Sequence, residues 1–153
     1  MRDDPVSLHR RRRLARWAVL GLSLALLCLA CSGTPSARLG SVTDVAVKDF
    51  HIGPGKTHVS AGQVAFRVHN GGPSTHEFVV ARTDLGDANL PLGPDGLSVD
   101  EDSPQIHVVT EDSELDIGES RVLVVSLPPG HYVFYCNLEG HYLGGMHASL
   151  VVS

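Results

Sequence analysis

Cysteine is scarce in this chain of 153 residues: there are three, and two of them, Cys28 and Cys31, fall within the first 31 positions. That leaves too few for a disulfide framework. Basic charge is equally thin beyond the start. Residues 32–153 carry six Lys and Arg against fifteen Asp and Glu, a net −9, whereas residues 1–31 carry six arginines against Asp3 and Asp4, a net +4. A body this acidic is not a nucleic-acid binder. Long apolar runs are confined to residues 17–30, fourteen residues in all. That is short of the roughly 20 needed for a comfortable membrane span. Past this stretch there is no sustained helical period and no internal repeat, which argues against helical bundles and solenoids.

What is present at the start reads as an export leader. The arginine run at 10–13 precedes the apolar "WAVLGLSLALLCLA" of 17–30, the order of a secretory signal. "LACSG" then places Cys31 directly after a small residue. This resembles a bacterial lipoprotein signal, with Cys31 as the lipid-bearing first residue, although Cys28 stands where that motif usually has leucine. Simple cleavage and an uncleaved anchor stay open, as does a twin-arginine route. The expected organisation is a signal peptide over 1–30, a lipid-anchored flexible linker over 31–41, and one folded domain over 42–153. The product is then exported and held at the outer face of the cytoplasmic membrane.

The body has the texture of an all-β protein. Alternating apolar residues mark seven strands, at 42–50, 63–70, 75–82, 105–110, 121–127, 131–136 and 147–152. "GPG", "NGGP" and "PPG" supply the turns between them. The pattern predicts a Greek-key β-sandwich. Residues 83–104 resist it, being acidic and too long for a simple turn. They leave room for a short helix near 83–90.

Cys136 is the third cysteine, and in an oxidising compartment a lone thiol is a liability unless it is buried or ligated. A bridge to Cys31 and an inert buried thiol are the plain alternatives. Its surroundings point elsewhere. In "GHYVFYCNLEGHYLGGMH" the two-residue period of a strand puts Tyr132, Phe134 and Cys136 on one face, and Val133 and Tyr135 on the other. His141 and Met146 follow on a glycine-containing loop that returns toward Cys136. A thiolate, an imidazole and a thioether, completed by one more imidazole, make the His₂Cys set with a weak axial methionine that favours copper and one-electron transfer. The best second imidazole is His76, at the turn-to-strand junction of "NGGPSTHEFVV". Seven other histidines lie in the body: His51, His58, His69, His107, His131, His141 and His147. His147 is a rival to Met146 but faces the opposite way by alternation. Zinc would accept Cys and two His, yet its structural sites take four firm ligands.

Gly-x-Tyr-x-Phe-x-Cys, four residues, His, four residues, Met, with "HEFVV" upstream, resembles the cupredoxins, the blue-copper electron-transfer proteins. The loop spacing is most similar to the rusticyanin type. The resemblance implies one type 1 copper held by His76, Cys136, His141 and Met146, and an electron carrier rather than an enzyme. It also implies His141 near the surface as the electron's exit. Phe78, Phe134 and Leu143 would wall the site, and Pro73, Leu143 and Gly144 would form an apolar docking patch; for Leu143 ordinary loop packing stays open. The acidic body suggests a basic redox partner, with plain solubility the favoured alternative for the same charge. Glu77 departs from the family, which often has asparagine after the upstream histidine. A binuclear copper centre needs a second loop cysteine, which is absent. The alternative function is copper delivery, storage or sensing at the cell envelope.

Overall fold

The computed structural model describes residues 39–153. The leader and Cys31 lie outside the described residues. The elements in chain order are β1 (Leu39–Lys48), β2 (His51–Pro54), β3 (His58–Val59), β4 (Gly62–Asn70), β5 (His76–Arg82), β6 (His107–Leu115), β7 (Ser120–Leu127), β8 (Gly130–Tyr135) and β9 (His147–Val152). No helix occurs among the described residues, so residues 83–90 hold turns instead of the short helix left open above. The first strand begins at Leu39, three residues inside the stretch read as a tether.

Two sheets form the sandwich, one in the order β2-β1-β4-β7 and the other in the order β3-β9-β8-β5-β6. Both are mixed: β1 runs parallel to β4 and β3 parallel to β9, while the remaining neighbours are antiparallel. The alternation seen in the sequence sets the faces. Thr43, Val45 and Val47 of β1 are buried, whereas Val42, Asp44, Ala46 and Lys48 are exposed. Between the sheets Phe66, Phe78 and Phe134 meet with ring centroids 5.2–6.3 Å apart. Each such side chain fully removed from water contributes on the order of 1.5–3 kcal/mol. Cys136 and Met146 close one end of this core.

Strand β8 is buried on both sides. Tyr132, Phe134 and Cys136 face the inter-sheet core, while Val133 and Tyr135 face outward into a second apolar cluster with Leu90, Val99, Ile106 and Tyr142. This second cluster lies under residues 83–106. It explains why β8 reads as a nearly unbroken apolar run.

The turn that delivers the start of β5 is organised by Asn70, which is fully buried. Its Nδ2 donates to the carbonyls of Ser74 and Leu115 at 2.8 and 2.9 Å, and its Oδ1 accepts from the Gly72 N–H at 2.9 Å. Gly72 packs so closely on the chain at Lys48 that a Cβ there would lie 2.9 Å from the Lys48 Cα. Asn70→Ala strands these buried backbone groups. It is expected to cost about 2–4 kcal/mol of stability in urea unfolding. A cost below about 1 kcal/mol would show that the turn holds without Asn70.

Candidate metal centre

His76 opens β5, Cys136 directly follows β8, and His141 lies on the loop that joins β8 to β9. Because β5 and β8 are antiparallel neighbours with Val79 opposite Tyr135, the start of one and the end of the other share an end of the sandwich. His76 Nδ1 and His141 Nδ1 are 3.4 Å apart, and Cys136 Sγ is 3.4 Å from His141 Nδ1. All three donor atoms lie within 4.8 Å of one another, and among the described residues they are the one group of three able to hold an ion.

The loop is shaped by its own backbone. The Cys136 N–H donates to the Met146 carbonyl and the Met146 N–H to the His141 carbonyl, both at 3.1 Å. Gly140 and Gly145 take φ of 76° and 102°, a region that side chains with a Cβ avoid. Met146 is thereby bound to Cys136 through the main chain, and its side chain is buried in the same cluster as Cys136, Phe78 and Phe134. His147, the rival, turns away: its Nδ1 is 3.0 Å from Asp87 Oδ2, and its ring lies against Tyr142.

Hydrogen bonds around the donors fix their chemistry. His76 is fully buried and its Nε2–H donates to Asp49 Oδ1 at 3.0 Å. A carboxylate only accepts, so Nε2 carries the proton and Nδ1 presents a bare lone pair toward His141 and the sulfur. The Glu77 backbone N–H donates to Cys136 Sγ at 3.3 Å. Burial pushes the Cys136 thiol up, against the pull of the Leu138 and Glu77 N–H groups. Burial, and next the neighbouring His141, hold His76 below the usual histidine range, against the opposing effect of Asp49. Without a cation the pocket therefore favours neutral imidazole and neutral thiol.

The donor set fits a copper ion. Ligands of a three-coordinate ion with bonds of about 2.0–2.3 Å sit roughly 3.5–4 Å apart, close to the separations observed. Thiolate and imidazole together match copper, and a cation at their centre offsets the cost of ionising the buried sulfur.

Asp49, Phe50 and Asn137 had no signal in the sequence. Phe50 holds a left-handed backbone, φ 58°, and is 62% exposed. Its ring covers Gly144, where a Cβ would fall 2.3 Å from Phe50 Cδ1, and lies 6.3 Å from the His141 ring. Leu143 is exposed, so it belongs to the rim and not to the wall; Phe78 and Phe134 form the buried wall. Pro73, Leu138 and Gly144 are exposed as well. Glu77 is half-buried, and its carboxyl is pushed up to about 7 by burial first, then by Glu101 and Glu111, against the Asn137 N–H.

A cupredoxin-like domain model matches residues 21–152. No curated protein matches the chain. Among solved structures, an auracyanin from the photosynthetic bacterium Roseiflexus castenholzii is similar at 18% identity with a TM-score of 0.53, covering 74% of this chain and 97% of that one. Auracyanin A, a "blue" copper protein from Chloroflexus aurantiacus, is similar at 22% identity with a TM-score of 0.52, over 74% of this chain and 100% of that one. Rusticyanin from Thiobacillus ferrooxidans is similar at 14% identity with a TM-score of 0.55, over 74% and 78%.

Glu77 has a direct consequence for stability in the metal-free protein. Its carboxyl keeps its proton longer folded than unfolded, so its contribution is full below 4.5 and is lost as pH rises through about 7. Urea unfolding across that window is expected to show wild type losing stability relative to Glu77→Gln as pH rises. A difference that is flat with pH would contradict the shift.

Proposed function

The chain belongs to the cupredoxin-like domain family, and from that membership we propose that it is a mononuclear type 1 copper protein carrying single electrons between redox partners outside the cytoplasmic membrane. The observation that carries this reading is that His141 Nδ1 lies 3.4 Å from both the Cys136 sulfur and His76 Nδ1, with all three donor atoms within 4.8 Å of one another. His76, Cys136 and His141 would hold the ion, with Met146 as a weaker sulfur donor. When bound, copper supplies the Cu(II)/Cu(I) couple.

The chain's own part is to hold its donors still. Asp49 fixes the His76 ring, the Glu77 N–H stabilises charge on sulfur, and the aromatic wall keeps water out. His141 is only partly buried, and Phe50, Leu138 and Leu143 expose apolar surface beside it. That surface fits an electron exit with a dry contact. The acidic body around it fits a basic partner, chiefly by speeding encounter. Copper delivery, storage or sensing is disfavoured by the burial of His76 and Cys136, which a protein that hands over its metal would need to expose. The export leader supports a place outside the cytoplasmic membrane, with Cys31 as the proposed lipid attachment.

The copper-loaded protein is expected to be intensely blue through a sulfur-to-copper charge-transfer band, with one copper per chain and reversible one-electron reduction. Cys136→Ser should abolish the band. A colourless wild type, or a band that survives Cys136→Ser, contradicts the reading. Met146→Leu should keep the colour and raise the reduction potential, as a donor to Cu(II) is lost; a large fall would contradict Met146 as a donor.

A further inference from the structure

The acidic segment 83–106 has no role in the copper chemistry above, yet it is bound to the ligand loop along much of that loop's length. The Asn137 side chain pairs with the Val99 backbone in both directions, accepting from its N–H at 2.6 Å and donating to its carbonyl at 3.2 Å. The Gly140 N–H donates to the Leu97 carbonyl at 3.0 Å. The Tyr142 hydroxyl, buried, accepts from the Leu90 N–H at 2.8 Å and donates to the Asp87 carbonyl at 2.9 Å. His147 reaches Asp87 at 3.0 Å.

The segment is itself held by apolar anchors. Leu90, Val99 and Ile106 pack with Tyr135 and Tyr142 on the outer face of β5 and β8, and Leu92 bridges Val99. The segment is thus anchored on the sheet, and its other contacts run to the loop that carries His141.

We propose that residues 84–104 are a clamp whose bonds to Asn137 and Tyr142 hold the loop carrying His141 in one geometry. This rests on reading Cys136 and His141 as copper ligands. Asn137 and Tyr142 are positioning residues, since their side-chain hydrogen bonds run to the segment and they act through the loop. A loop locked from outside cannot relax when the ion changes charge, so its donors keep the same spacing in both oxidation states.

The test compares Tyr142→Phe, which removes only the hydroxyl, and Asn137→Ala with Thr83→Val, which breaks a bond inside the segment to the Leu85 N–H without touching the loop. In the metal-free protein, Tyr142→Phe and Asn137→Ala should speed amide hydrogen exchange at Gly140, His141 and Gly145 by roughly tenfold, with β8 and β9 unchanged. In the copper-loaded protein the same two variants should distort the Cu(II) spin-resonance signal and slow electron self-exchange. Thr83→Val should do neither, whatever its effect on melting. Unchanged loop exchange, or equal changes in Thr83→Val, overturns the clamp. A wild type that never turns blue instead refutes the copper reading, and the exchange measurement still decides the clamp.

Discussion

The antiparallel pairing of β5 with β8 is the constraint on which the site depends. It pairs residues fifty or more positions apart in the chain and brings the start of one strand to the same end of the sandwich as the end of the other. His76 and Cys136 then need no long side-chain reach to meet. A slip of β8 by one residue in this register would turn Phe134 and Cys136 out of the inter-sheet core together, away from Phe78 on β5. The packing of the three phenylalanines therefore specifies the metal site as well as the fold.

Around that pairing, polar contacts convert proximity into a usable donor set. Burial alone favours an inert thiol and a neutral His76 ring. Asp49 selects which His76 nitrogen stays bare, and the Glu77 N–H gives the sulfur a donor to lean on. Both contacts are made by the protein's own groups, Asp49 on one ligand candidate and the Glu77 backbone on the other. The left-handed backbone at Phe50 belongs to the same arrangement. It follows directly on Asp49 and places an aromatic ring over Gly144, beside the exposed edge of His141.

Much of this was legible in the sequence. Period-two alternation located seven of the strands and placed Cys136 on the same face as Tyr132 and Phe134, which is the face of β8 that meets the other sheet. β2 and β3 went unread since "HIGP" and "HV" are too short to show a period; they are strands only because β1 and β9 offer them edges. The extension of β6 to Leu115 was hidden by its mixed acidic texture, which suits an edge strand next to β5 alone. The resemblance of the loop to cupredoxins named four ligand candidates. Three of their donor atoms converge, and Met146 packs beside them.

Asp49, Asn70 and Asn137 could not be read, because each works through partners chosen by tertiary contact. The segment 83–106 failed for the same reason: its composition is that of a solvated loop, and its order comes from Tyr142, Asn137 and the outer face of β8. X-ray absorption at the copper edge of the reconstituted protein tests the central claim most directly. The expected first shell holds one short sulfur and two imidazole nitrogens, with one nitrogen lost in His76→Ala. A shell of nitrogen and oxygen alone, or one unchanged by His76→Ala, would contradict it.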